Sequence, residues 1–327
     1  MLKPLTYAML ALGLLTAIAM VAWQGAGIVL ATLALAGWSF LLVVAWYAVA
    51  VAGMGLSWSM VFPPGETPGL RRLVYLNYLG SSINSLLPVA AVGGDLVKGL
   101  LLFQRGVNGP LAGASVLADK AAQVASQLAF GLMGVGALIY LEAHPDIVTG
   151  LLGGTLFFCA LLGAFFWMQG KGMFGFAAQQ ADRLAGGRLW ADMIGSATEL
   201  DHALDRIYRH HARIAWACWW RLAVRFSLVA EVWYLARLMG HPIGWVEAMM
   251  LESLVTAVRG MAFVVPAGLG AQEGAFILLA HSAGLPTEVA LAISLAKRGR
   301  EIVCGAPALL ALQWGAGKRL AEWWRGA

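Results

Sequence analysis

Charge is scarce in this sequence. Asp, Glu, Lys and Arg make up 12% of the 327 residues, about half of what a soluble domain carries. With 60% hydrophobic residues and a mean hydropathy of +0.75, an ordinary water-soluble fold is excluded. Cysteine is almost missing: Cys159, Cys218 and Cys304 stand singly in apolar runs, which argues against a disulfide framework or a thiolate metal site. The histidines (His144, His202, His210, His211, His241 and His281) are scattered without ligand spacing. No G-x-x-x-x-G-K-[ST], H-E-x-x-H, C-x-x-C or G-x-S-x-G occurs, so P-loop, zinc-protease and serine-hydrolase chemistry have no basis here. No metal, cofactor or nucleic-acid partner is expected, and the chain is read as a non-enzyme.

Long apolar runs are plentiful. A helix needs roughly 20 residues to cross a bilayer core, and residues 5–23, 27–54, 109–141, 147–168, 212–239 and 286–315 qualify. The first run is too long for a signal-peptide core and is expected to be a retained span. Two regions are broken instead. In one, Pro88 separates 72–87 from 89–104, with Gly80, Gly93 and Gly94 interrupting; in the other, 246–265 carries Glu252 and Arg259 and 267–282 is short and glycine-rich. Both read as re-entrant or broken-helix hairpins, with a full crossing by two short helices as the alternative. The expected fold is an all-α polytopic membrane protein, one integral domain over 1–327, with six long spans and two hairpins.

Sidedness follows from Lys and Arg. Arg71, Arg72 and Arg105 flank the first hairpin, Lys171, Arg183, Arg188, Arg206, Arg209 and Arg213 crowd 169–213, and Lys318, Arg319 and Arg325 close the chain, whereas 24–26, 141–147 and 281–286 contain neither. The positive-inside rule puts both termini and the 169–213 connector in the cytoplasm. Within that connector Leu200, Leu204, Ile207 and Tyr208 recur at helical spacing opposite Glu199, Asp201, Asp205, Arg206 and Arg209. This is an amphipathic helix on the membrane surface or against the bundle. The 14 tryptophans suit interfacial belts.

The two broken regions are related. Asp95 lies seven residues after Pro88, and Glu273 lies seven after Pro266. The offset between them (273 − 95 = 178) also carries Gly106 onto Gly284 and Lys120 onto Arg298. The span after the first hairpin leaves the cytoplasm and the span after the second returns to it, so the elements 55–141 and 240–315 are expected to form an inverted repeat. Glycine- and proline-broken elements in matching positions of two halves point to a transport site between them. The hairpin-breaking residues are Pro88, Gly93 and Gly94, and Pro266, Gly268 and Gly270.

Charge at membrane depth costs about 2.5–3.5 kcal/mol per residue even on a lenient scale, and persists where it pairs or faces a cavity. The candidate translocation residues are Asp95, Asp119, Lys120, Glu252, Arg259, Glu273, Lys297, Arg298, Arg300 and Glu301. Ser115, Asp119, Gln123 and Gln127 form one stripe at four-residue spacing. Glu301 can pair along its helix with Lys297 or Arg298; Glu252 and Arg259 share a face; Arg221 and Arg225 are near enough to the cytoplasm to snorkel. Counting Lys98 and Glu231, cations slightly outnumber anions at depth, which suits an anionic headgroup.

Asn84-Ser-Leu-Leu-Pro88 with Gly93-Gly94-Asp95 and Arg105-Gly106 resembles the first signature of the lysylphosphatidylglycerol synthase transmembrane-domain family. Val264-Val-Pro266-Ala-Gly-Leu-Gly270, Gln272-Glu273-Gly274 and Lys297-Arg298-Gly-Arg300-Glu301 resemble the second. The double-glycine-aspartate form is similar to the flippase-like branch associated with hopanoid biosynthesis. The resemblance runs from about residue 70 to 315 and implies a multi-pass protein of the bacterial inner membrane that moves an anionic, hopanoid or polyprenyl-type lipid between leaflets. Its expected partners are that lipid and lipid-biosynthesis enzymes; the oligomeric state is not legible. The chain ends at Ala327, so aminoacyl transfer is not expected of it. An intramembrane lipid-modifying enzyme using Asp95, Glu273 or Glu301, or a non-catalytic partner of a synthesis complex, are the alternatives.

Overall fold

A computed structural model describes residues 37–86, 93–141, 197–261 and 270–325. Among them the fold is all helix, without strands. In chain order the helices are α1 (Ser39–Val61), α2 (Leu70–Leu86), α3 (Gly93–Phe103), α4 (Gly109–Leu141), α5 (Ala197–Tyr208), α6 (His211–Leu238), α7 (Trp245–Met261), α8 (Ala271–Ala280) and α9 (Thr287–Arg325), with one 3₁₀ turn at His281–Ala283 after α8.

The apolar run 109–141 is α4, 212–239 is α6 within one residue at each end, and 286–315, apart from its first residue, lies in α9, which continues to Arg325. The run 27–54 is displaced: α1 starts at Ser39 and continues seven residues beyond 54, because Gly55–Val61 packs against α2 instead of leaving the bundle. Runs 5–23 and 147–168 fall outside the described residues. Among the described helices α1 and α4 are long and apolar enough to cross a membrane by composition. Helices α6 and α9 are long enough too but carry several charges each.

Both broken regions appear as a 17-residue helix followed by a shorter one: α2 and α3, then α7 and α8. Pro88, Pro266 and Gly268 lie outside the described residues. Gly80, expected to interrupt the first hairpin, sits inside α2, and Gly93 and Gly94 open α3. Packing explains two of these glycines. A Cβ on Gly94 would meet the Gly80 carbonyl oxygen at 1.9 Å, and one on Gly80 would meet the Gly94 carbonyl oxygen at 2.7 Å. Helices α2 and α3 therefore touch backbone to backbone, which only glycine permits. Gly270, by contrast, is a turn residue with φ +75° in front of α8.

Helices α1 and α6 run antiparallel, tied at two levels by Ser57 Oγ donating to the Ala217 carbonyl (2.9 Å) and Trp46 Nε1 donating to the Ser227 carbonyl (2.8 Å). Two buried apolar cores flank this pair. One joins α1, α2, α4 and α5 through residues such as Trp58, Leu73, Leu76 and Ile207. The other joins α4, α6, α7, α8 and α9 through Phe130, Val232, Leu251, Phe276 and Ile293. The amphipathic reading of α5 is resolved in favour of the bundle. Leu200, Ala203, Leu204 and Ile207 are buried, while Asp205 and Arg209 pair in the open at 2.6 Å.

Candidate ion-pair ladder

The 178-residue offset recurs in three dimensions. Helix α3 starts at Gly93 and α8 at Ala271; α4 starts at Gly109 and α9 at Thr287. Both differences (271 − 93 and 287 − 109) equal 178. The turns between these helices use the same hydrogen bonds at equivalent residues. In the first, Gly106 N–H donates to Phe103 and Val107 N–H to Leu102; in the second, Gly284 N–H donates to His281 and Leu285 N–H to Ala280. The pivot is glycine each time, φ +89° at Gly106 and +66° at Gly284, the left-handed conformation that ends a helix without a Cβ penalty.

The same two positions also make an ion pair in both units. Lys120 Nζ lies 2.9 Å from Asp95 Oδ2, and Arg298 lies 3.4 Å from Glu273 Oε1. Each pair joins the first turn of the short helix to the helix that follows. A polar residue two positions before the end of the preceding helix reaches that first turn as well. Asn84 Oδ1 accepts from Gly94 N–H at 2.7 Å, and Arg259 Nη1 donates to Gln272 Oε1 at 2.9 Å.

Around Asp95 a first cluster forms. Lys98 bridges Asp95 (3.0 Å) and Asp119 (2.7 Å), and Arg221 of α6 holds the other Asp119 oxygen at 2.6 Å. Asp119 is thus clamped by α3 on one side and α6 on the other, and Trp58 covers Lys98 with its ring 4.9 Å from Nζ. Lys98, Asp119 and Arg221 are buried, whereas Lys120 keeps 28% of its side chain exposed. Arg221 does not snorkel: it is drawn inward by Asp119. Arg225, one turn further along α6, points the same way and donates to Ser126 Oγ and the Gln123 carbonyl, both at 3.2 Å. The α4 polar stripe is used throughout: Ser115 Oγ accepts from Trp58 Nε1, and Gln127 donates to Thr256 of α7.

A second cluster surrounds α9. Arg259 forks onto Glu301 at 2.6 and 3.1 Å, and Arg298 reaches Glu301 at 3.6 Å as well as Glu273. Lys297 pairs with Glu252 of α7, not along its own helix with Glu301. Arg300 pairs with Glu231 of α6 and lies 4.1 Å over the Tyr47 ring. Glu252 and Arg259 do share a face, both turned to α9. Glu273 has a second task, accepting from Gly270 N–H at 2.9 Å and so capping α8.

Every charged residue singled out from the sequence at depth therefore lies in one of two clusters, and among the described residues no ion pair joins the two. Helices α1 and α6 thread both. Arg221 and Glu231 are ten residues apart on α6, about 15 Å of helix rise, and Trp58 and Tyr47 are eleven apart on α1. Trp58 and Tyr47 were not singled out from the sequence, and Asn84 and Gln272 stood there only as letters of the two signatures, without a role. The legible signal was aromatic spacing of three helical turns on one face of α1. Buried ion pairs seldom stabilise a fold more than apolar packing of equal volume.

Comparison with known proteins adds one finding. Residues 10–307 match the family model described as the lysylphosphatidylglycerol synthase TM region. No curated protein and no solved structure matches.

Proposed function

The chain belongs to the lysylphosphatidylglycerol synthase TM-region family, a membrane protein of lipid synthesis or translocation, and from that premise we propose that it carries a lipid from one leaflet to the other. The observation that supports this most is the duplicated short-helix–turn–helix unit with its ion pair in the same place, Asp95–Lys120 and Glu273–Arg298. In this reading the units are inverted halves of a six-span protein of the bacterial inner membrane with both termini in the cytoplasm. The headgroup passes along the charged ladder while its tails stay in lipid. Paired charges suit such a path, because a charged or polar headgroup can replace one partner of a pair without leaving a bare charge in a medium of low dielectric. Asp95, Asp119, Lys120, Glu252, Arg259, Glu273, Lys297, Arg298, Arg300 and Glu301 are the path residues. No covalent step is required of them, so the chain acts as a carrier. A hopanoid- or polyprenyl-type tail is what the resemblance of Gly93-Gly94-Asp95 to the hopanoid-associated branch implies.

The test is leaflet exchange of a fluorescent lipid in vesicles containing the purified protein. Glu273→Ala and Arg298→Ala are expected to slow exchange at least about tenfold, the cost of stranding one charge of a buried pair. Full exchange by either variant, shown to be folded, refutes the assignment.

A further inference from the structure

The two clusters are unequal in charge, and the inequality has one address. In the second, four cations (Arg259, Lys297, Arg298 and Arg300) meet four carboxylates (Glu231, Glu252, Glu273 and Glu301). In the first, Lys98, Lys120, Arg221 and Arg225 meet two carboxylates, Asp95 and Asp119. Counted over the described residues, the surplus of two positive charges read from the sequence lies in the first cluster. Part of its origin is visible in the repeat: Glu301, which neutralises Arg259 and Arg298, is matched at the same offset (301 − 178 = 123) by Gln123.

Arg225 stands beside that substitution. Its Nη2 donates to the Gln123 carbonyl and its Nε to Ser126 Oγ, both neutral oxygens. No carboxylate lies within ion-pair distance of it among the described residues, and Glu252, the acid facing it from α7, is held by Lys297. Three of its five N–H donors remain for another acceptor. Arg221 lies one turn away on the same face of α6, with its buried Nε also lacking an acceptor. Two guanidinium groups stacked at i and i+4 repel, and Asp119 is already shared between Arg221 and Lys98. A doubly coordinated phosphate oxygen pair supplies what is missing, negative charge and forked acceptors.

We infer that the first cluster holds the phosphate of a lipid whose headgroup is net anionic, that Arg225 is the residue selecting that charge, and that the neutral second cluster does not share the preference. The inference rests on the translocator reading for its ligand being a lipid. It gives the path a strong station and a weak one, with Arg225 six residues before Glu231 on α6, about 9 Å of helix rise.

The experiment titrates the purified full chain in detergent with short-chain phosphatidylglycerol, short-chain phosphatidylcholine and inorganic phosphate, read by calorimetry. Phosphatidylglycerol is expected to bind at least about tenfold more tightly than phosphatidylcholine, which offers the same phosphate but adds a quaternary ammonium that the surplus cations repel. Arg225→Gln and Gln123→Glu should each remove most of that ratio, and Arg225→Lys should keep it. Equal affinities for the two lipids, or a ratio untouched by Gln123→Glu in a protein that melts like the wild type, overturns the inference. So does inorganic phosphate binding as tightly as the lipid. If Gln123→Glu does not fold, the contrast between Arg225→Lys and Arg225→Gln decides by itself. Leaflet exchange is measured separately. Exchange without a charge preference sinks this inference alone, and a preference without exchange supports the anion site while refuting the translocator.

Discussion

Alanine at Gly94 would place a methyl group 1.9 Å from the Gly80 carbonyl oxygen and 2.8 Å from Asn84 Oδ1. Neither obstacle is the far end of a flexible side chain; one is the backbone of α2 and the other is fixed by its bond to Gly94 N–H. Helices α2 and α3 must part by roughly 1.6 Å to bring the closer contact to about 3.5 Å. That movement breaks the Asn84–Gly94 hydrogen bond and the bond from Asn84 Nδ2 to Asp95 Oδ2 (3.3 Å), and it shifts Asp95 relative to Lys120 of α4, which it meets at 2.9 Å. Overpacking of this kind costs about 1–3 kcal/mol, and the hydrogen bond adds about 1 kcal/mol. Equilibrium unfolding of the purified full chain in mixed micelles should therefore show a loss of about 2–4 kcal/mol. Gly131→Ala is the control. It lies in the middle of α4 with nothing within 4 Å of the new Cβ, and helix propensity predicts a gain of up to about 1 kcal/mol. A Gly94→Ala protein as stable as the wild type, or one destabilised no more than Gly131→Ala, refutes the claim that the two helices meet backbone to backbone.

Glu252→Leu leaves Lys297 buried without its carboxylate and should cost about 3–5 kcal/mol in the same unfolding assay, most of it regained in the Glu252→Leu, Lys297→Met double variant; if the second change adds to the loss, the pair is misassigned. Arg206→Ala removes an exposed pair with Glu66 at 2.7 Å and should shift stability by no more than about 1 kcal/mol, an effect that added salt abolishes.

Much of the fold could be read in advance because its signals are local. The start of α4 after a turn glycine and the ends of α6 follow from hydropathy and charge within a window of one helix. The 178-residue offset was legible because glycine, proline and charge are rare enough in this chain to stand out. Pairing was not legible. Glu301 has Lys297 and Arg298 within one turn of its own helix, yet its strongest partner is Arg259, 42 residues away. Lys297 turns to α7 because Glu252 faces it there. The inward pull on Arg221 escaped notice for the same reason: whether a long cation snorkels depends on what lies across the helix, and Asp119 is 102 residues distant in sequence. The aromatic lids Trp58 and Tyr47 look like ordinary membrane side chains until Lys98 and Arg300 are placed beneath them.

Helix α6 touches the first cluster through Arg221 and the second through Glu231, with no break between them. A straight helix neither stretches nor shortens appreciably, so it acts as a fixed ruler between the clusters. A headgroup passing along the proposed path would meet two charged stations whose separation on α6 is set in advance, whichever other helices shift around it.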